Sequence, residues 1–183
     1  MIHLQTPLTV EKIKQLHAGD EVSLSGIIYT GRDAAHKRLI ALLDEGKSLP
    51  FDIEDQTIFY VGPTPSKPGM VFGSGGPTTS GRMDAYSPRL IALGLRAMIG
   101  KGYRSKQVKD AIVSNGGVYF GAIGGAGAMM SSCVEECEII AFEDLGPEAI
   151  RKLKVKNMPL VVVIDSQGND LYEIGRENYL SKK

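Results

Sequence analysis

Tryptophan is absent from the sequence, and cysteine occurs only twice and histidine only three times in 183 residues. Cys133 and Cys137 cannot form a disulfide framework, and two thiols fall short of the three or four ligands that a zinc site or an iron–sulfur cluster needs. His3, His17 and His36 are scattered, so no metal-site spacing arises. Neither sign of charge is in excess. The 21 basic side chains balance the 21 acidic ones for a formal net charge of zero, which gives no reason to expect nucleic acid or an anionic membrane as partner. No apolar run approaches the roughly 20 residues of a membrane span. The opening MIHLQTPLTVEKIKQ lacks the apolar centre of a secretory signal. These absences describe a reduced, cytoplasmic protein.

What is present is ordinary globular composition, 43% hydrophobic and 23% charged. A chain of this length buries a substantial core as one domain, residues 1–183. Helical and strand signals alternate along it. Thr9 is placed to cap a short helix over Val10 to His17. EVSLSGIIYTG reads as a strand, and RDAAHKRLIALLDEG as a helix with Ala35, Leu39, Leu42 and Leu43 on one face and Gly46 past its end. A short strand near Ile58 to Val61 leads into the Pro/Gly loop GPTPSKPGM. Ser87-Pro88 predicts a helix running through Leu90, Ile91, Leu95 and Met98. Ser105 predicts another, with Val108, Ala111 and Ile112 inward and Gly116 beyond it. VYFGAI reads as a buried strand, GGAGAMMSSCVEE as a helix, CEIIAFE as a strand, GPEAIRKLK as a helix, PLVVVID as a buried strand, SQGND as a turn and LYEIG as a last strand. The pattern predicts an α/β domain with a mixed sheet and helices packed on it.

The residues suited to chemistry are few. Gly73-Ser74-Gly75-Gly76-Pro77-Thr78-Thr79-Ser80-Gly81-Arg82-Met83-Asp84 combines backbone that approaches a ligand closely, three hydroxyls and an arginine whose planar fork matches a carboxylate. A helical turn beginning at Pro77 would add partial positive charge. The string favours a small anion. It lacks the lysine of a phosphate loop, and it reads equally as a glycine-rich turn with a surface arginine. Thr30-Gly31-Arg32-Asp33 sits where a strand hands over to a helix, the usual ligand edge of an α/β sheet. Arg32 there either faces a ligand or is solvated, with Asp33 capping the helix. Lys101, between Gly100 and Gly102, either reaches a pocket or is an exposed loop residue. Cys133 and Cys137, four apart, share a face if helical and read as buried inert thiols.

GDEVSLSGIIYTGRDAAHKRL, GPTPSKPGMVFGSGGPTTSGRMD, the GKG segment, NGGVYFGAIGGAGA and MPLVVVIDSQGNDLYEIG together resemble the C-terminal half, or β subunit, of the class I fumarases and the related tartrate dehydratases. GPTTSGRMD is the specific signature, and the resemblance covers nearly the whole chain. It implies a swivelling β/β/α domain and the reversible hydration of fumarate to (S)-malate. It implies a four-iron four-sulfur (4Fe-4S) cluster as Lewis acid, held by the cysteines of a separate α subunit in a heteromer, a heterotetramer, with no cofactor bound by this chain. By motif position, Arg32 and Arg82 resemble ligands of the carboxylates of a C4 dicarboxylate, Thr78 the catalytic base, and Lys101 an active-site lysine. Tyr103 departs from the asparagine expected in some relatives. Tartrate dehydratase β subunit is the rival within the same chemistry. A non-catalytic assembly module sharing the fold is the rival outside it.

Overall fold

In the computed structural model, which describes residues 1–122 and 127–181, the chain runs β1 (Ile2–Gln5), α1 (Val10–Ile13), β2 (Glu21–Thr30), α2 (Asp33–Asp44), β3 (Thr57–Phe59), α3 (Ser87–Ala92), β4 (Ala97–Gly100), α4 (Lys106–Asn115), β5 (Val118–Ala122), α5 (Gly127–Ser132), β6 (Val134–Ala141), β7 (Ile150–Ile164) and α6 (Leu171–Leu180). Short 3₁₀ turns lie at Ser80–Met83 and Glu143–Glu148. The sheet is mixed. From β1 to β5 each strand runs parallel to the next. β7 runs antiparallel to β2 on one edge and to β5 and β6 on the other. The pairings β2–β3–β4–β5–β7–β2 therefore close on themselves, with β1 and β6 as flanking strands.

Alternation along the strands divides the apolar residues between two cores, because successive side chains of a strand point to opposite faces. One core gathers Val22, Leu24 and Ile28 of β2, Phe59, Ile99, Phe120, and Leu153, Val155, Met158, Leu160 and Val162 of β7. The other gathers the adjacent Ile58, Met98, Tyr119 and Val163 under Ala35 and Leu39 of α2, Leu90 and Ile91 of α3, and Val108 and Ile112 of α4. α4 is built as expected: the Ser105 side chain accepts the Val108 amide, and Gly116 ends the helix at φ 67°. Each fully buried large aliphatic or aromatic side chain contributes about 1.5–3 kcal/mol, so both cores are substantial.

Several sequence expectations are corrected. GPEAIRKLK is not a helix. Pro147 lies in a 3₁₀ turn, and Ile150 onward belongs to a 15-residue strand. Leu153 and Val155 are buried while Lys152, Lys154 and Lys156 are exposed, a period of two that shifts phase at an irregularity around Asn157 (φ 52°) before Met158, Leu160 and Val162 take up the buried positions. LYEIG is not a strand but the start of α6, where the Asp170 carboxylate accepts the Tyr172 amide as an N-cap. The helix after Ser87 stops at Ala92, Gly94 turns the chain at φ 106°, and Met98 lies in β4. α1 is only four residues long, and Ile2–Gln5 form a strand that sequence reading left unassigned. Cys133 follows α5 while Cys137 lies in β6, so the two do not share a helical face. Residues 123–126, part of the VYFGAI and GGAGAMMSSCVEE readings, lie outside the described residues.

His36 of α2 is fully buried, between the rings of Tyr60 and Tyr86. Its Nδ1 lies 2.8 Å from the Arg32 carbonyl, which only accepts, so Nδ1 carries the proton. Nε2 is buried with no hydrogen-bond partner. Burial, helped by the nearby Arg104 charge and opposed by the bond to Arg32, pushes the imidazole down to about 4. The unfolded chain takes up this proton near pH 6.5 and the folded chain only near 4, so the histidine's contribution is complete above pH 6.5 and is lost as pH falls toward 4. The loss should reach about 3 kcal/mol. Urea unfolding at pH 7 and pH 4.5 should show a larger drop for the wild-type chain than for His36→Gln. Equal drops would mean that His36 is not held neutral.

Candidate active site

Three parallel strands end side by side, and their C-terminal ends carry the residues singled out in the sequence. Arg32 follows β2 directly after Thr30-Gly31. The Thr78 amide donates to the Tyr60 carbonyl, one residue past β3, at 2.7 Å. Lys101 follows Gly100, the last residue of β4. This is the edge at which open α/β sheets place ligands, because loops diverge there.

The Thr78–Arg82 segment is fixed from below by Ser80, which is fully buried. Thr79 bridges to Lys101 in parallel register. The Ser80 amide donates to the Lys101 carbonyl at 2.9 Å, and the Ser80 hydroxyl accepts the Lys101 amide at 3.0 Å and the Tyr119 hydroxyl at 2.9 Å. Gly100 permits this contact, since a Cβ there would lie 1.8 Å from Ser80 Oγ. Tyr119 is buried, and that burial, outweighing its bond to Ser80, raises its phenol and keeps it a donor. Beyond the 3₁₀ turn, Asp84 accepts Arg104 Nε at 2.7 Å and the Ser105 amide at 2.6 Å. Arg104 is itself buried against the rings of Tyr60 and Tyr119 and donates to Ser87 Oγ at 2.9 Å. Removing one partner of such a buried pair costs about 3–5 kcal/mol, so the turn is rigidly anchored.

On this base Arg82 reaches across to α2. Its Nε donates to Asp33 Oδ1 at 2.9 Å, and Arg32 Nε lies 3.9 Å from Asp33 Oδ2 and 3.3 Å from Glu148 Oε1. The two arginines are thus brought to one carboxylate. Thr78 is half-buried and Lys101 exposed. Neither the Thr78 hydroxyl nor the Lys101 ammonium has a side-chain partner among the described residues. Backbone links Lys101 to the turn, and the turn carries Thr78 and Arg82, so all four candidates belong to one continuous surface. Four cavities among the described residues lie elsewhere. One of about 290 Å³, for example, is lined by Pro63, Phe72, Cys137, Pro147 and Arg151. Arg32, Thr78, Arg82 and Lys101 line none of these four cavities, and among the described residues Arg82 and Lys101 are exposed while Arg32 and Thr78 are half-buried.

The site differs from the sequence expectation in three respects. The turn starts at Ser80 and is a four-residue 3₁₀ segment, so no helix begins at Pro77 and no helix dipole acts there. Gly73 and Gly75 serve packing: a Cβ on Gly73 would lie 1.7 Å from the Thr64 carbonyl oxygen, and one on Gly75 2.6 Å from Val61. Arg32, not Asp33, occupies the N-cap position of α2, with no side-chain cap bond, and the Asp33 carboxylate turns to Arg82 instead. Sequence reading offered Ser80 as a ligand-facing hydroxyl, whereas it is fully buried, and it did not single out Glu148, Asp84 or Arg104. Of the last three only Asp84 lay inside a segment already marked, and no local signal pointed to Glu148 or Arg104.

The donor set of this chain does not fit a cluster or metal. Among the described residues no three His, Cys, Asp or Glu side chains are grouped to hold an ion. Burial raises the thiols of Cys133 and Cys137, the opposite of what a thiolate ligand needs. No helix among the described residues is long and apolar enough to cross a membrane.

The chain is 42% identical over 164 residues to an Escherichia coli (strain K12) protein named fumarate hydratase class I, anaerobic, a match that covers 88% of this chain and 30% of that protein. It is 36% identical over 177 residues to fumarate hydratase 1, mitochondrial, of Leishmania major, covering 94% of this chain and 32% of that one. The chain thus spans about a third of the length of these relatives. Against a Methanocaldococcus jannaschii protein named as a candidate L(+)-tartrate dehydratase subunit beta it is 40% identical over 172 residues, covering 91% of this chain and 88% of the relative. The model of the family described as Fumarase C-terminus matches residues 1–175, and this chain, with a mixed α/β sheet that carries the signature GPTTSGRMD turn at its edge, belongs to that family.

Proposed function

We propose that this chain is the β-type half of a class I fumarate hydratase, which grips a C4 dicarboxylate in a site completed by an α-type subunit. One observation carries this assignment: among the described residues, the segments bearing Arg32, Thr78, Arg82 and Lys101 meet at the C-terminal ends of β2, β3 and β4, with Arg82 paired to Asp33 and Thr79 bridged to Lys101. Three cationic side chains at that edge suit a dianion that is closed over by a second surface. The separate length of the Methanocaldococcus jannaschii relative supports an architecture in which such halves are distinct chains. The same relative's name keeps L(+)-tartrate as a second substrate class. Two unpaired cysteines suit a reduced, cytoplasmic setting.

In this assignment Arg32 and Arg82 each present a guanidinium fork to one substrate carboxylate. Lys101 adds a point charge beside the carboxylate where negative charge develops as the neighbouring carbon loses its proton. Thr78 moves that proton. A hydroxyl is a weak base without an activating neighbour, and with no partner for it among the described residues the activating group is assigned to the α-type subunit. A 4Fe-4S cluster on the α-type subunit would supply Lewis acidity toward the leaving hydroxyl. The donors among the described residues do not fit it, so it is assigned to the partner.

Co-expression with the partner, anaerobic reconstitution and assay on fumarate, malate and both tartrates tests the assignment and separates the substrates. Inactivity on all four would refute it. In the reconstituted complex Arg32→Lys and Arg82→Lys should each cost on the order of 2–5 kcal/mol in kcat/KM, because lysine cannot form the bidentate pair and a substrate charge stays buried. Wild-type kcat/KM in either variant would remove that arginine from the substrate. Thr78→Ala should lower kcat by roughly 10²–10⁴ with a smaller change in KM, whereas Thr78→Ser retains turnover. With iron content matched, an alanine variant of unchanged kcat would move the base to the partner. Hydrogen exchange of the amides from Gly75 to Asp84 should slow on adding the partner, and unchanged exchange would put the interface elsewhere.

A further inference from the structure

We propose that Asp33 is a positioning residue that aims Arg82 at the substrate. The inference rests on the assignment of Arg82 as a carboxylate ligand. Arg82 is held by its Nε edge, with Nε donating to Asp33 Oδ1 at 2.9 Å. Its two Nη groups have no hydrogen-bond partner among the described residues. A guanidinium offers five N–H donors in a flat fork. Fixing Nε from one side leaves the Nη pair facing away, which is the edge that receives a carboxylate in two parallel bonds. A freely rotating arginine, whose side chain is 53% exposed here, would spend that orientation on entropy at each binding event.

The position of Asp33 is determined by more than this one bond. It opens α2 directly after Arg32, and its Oδ2 is buried with no hydrogen-bond partner. That oxygen faces Arg32 Nε at 3.9 Å, an atom that is likewise buried without an aligned bond. Arg32 is in turn confined by Glu148 at 3.3 Å and by Gly62, where an added Cβ would lie 2.7 Å from Arg32 Nη1. Glu148 is held in place because the Thr30 hydroxyl donates to the next carbonyl, Ala149, at 3.3 Å and accepts the Arg151 amide at 3.0 Å. A single carboxylate therefore sits between the two arginines, hydrogen-bonded to Arg82 Nε and 3.9 Å from Arg32 Nε. The Arg82–Asp33 pair is partly solvated, and such a pair adds little to stability, so loss of the Asp33 charge should leave the fold intact and register in substrate binding.

The test uses the reconstituted complex with its dicarboxylate substrate and a double-mutant cycle of Asp33→Asn and Arg82→Ala. Asp33→Asn should raise KM about tenfold and leave kcat largely unchanged, the loss expected for one charge-assisted hydrogen bond. In the Arg82→Ala background it should add nothing. Asp33→Glu, which keeps the charge on a longer stem, should recover part of the loss. In the full chain, the Arg82 Nε–H proton should exchange faster and shift in ¹⁵N-resolved spectra of Asp33→Asn, a readout that does not depend on turnover. If Arg82→Ala raises KM and Asp33→Asn does not, or if the Asp33→Asn effect persists without Arg82, the positioning role is wrong. If Arg82→Ala leaves KM unchanged, the assignment of Arg82 fails, and this proposal with it.

Discussion

The antiparallel pairing of β7 with β2 is the constraint on which the rest of the structure depends. β7 pairs along most of β2, from Glu21↔Val161 to Tyr29↔Lys152, while its other edge takes β5 and β6. That one strand converts a run of parallel strands into a closed circuit and buries the alternating residues Leu153, Val155, Met158, Leu160 and Val162 against those of β2. Closure also satisfies the backbone groups that an open sheet edge would expose. With the sheet closed, β2, β3 and β4 cannot slide relative to one another, and their C-terminal ends form a platform of fixed spacing.

The candidate site inherits its rigidity from that platform through a buried polar layer. Ser80, Tyr119, Asp84, Arg104 and Ser87 tie the GPTTSGRMD turn to the strands by side-chain hydrogen bonds, and nearly all of these atoms are shielded from water. In a low-dielectric setting such bonds are strong when satisfied and costly when broken. The exposed layer above is different in kind. Arg32, Asp33, Arg82 and Glu148 form partly solvated ion pairs that contribute to orientation more than to stability. The division places stiffness below and charge above.

Legibility in the sequence followed the range of the interaction. Elements governed by neighbours along the chain were readable: α4 between its Ser105 cap and Gly116, α2 with Gly46 beyond it, and β2 by alternation. Errors arose where a distant strand decided. IRKLK has enough helix-forming residues to pass for a helix, yet pairing with both β2 and β6 made it strand. LYEIG alternates weakly, yet the Asp170 cap and the ion pairs of Lys109 with Asp170 and Glu173 fix it as helix. A four-residue strand such as β4 carries too short a pattern to stand out from the end of the helix before it.

The residue types of the site were determined by the sequence alone: Thr78 and Arg82 in a string recognisable as one family's signature, with Arg32 and Lys101 in flanking segments, within a chain that has two cysteines and no apolar run of membrane-span length. Those properties are local and covalent, so no fold is needed to read them. That Arg32 and Arg82, fifty positions apart, meet at Asp33 was decided only by the tertiary structure. So was the role of Asp33 as an ion-pair partner in place of a helix cap, and the support of Thr78 and Lys101 by Ser80 and Tyr119. Each of these depends on the order of strands in the sheet. That order is set by which apolar faces can be buried together, a choice made by the whole chain at once and by no single segment of it.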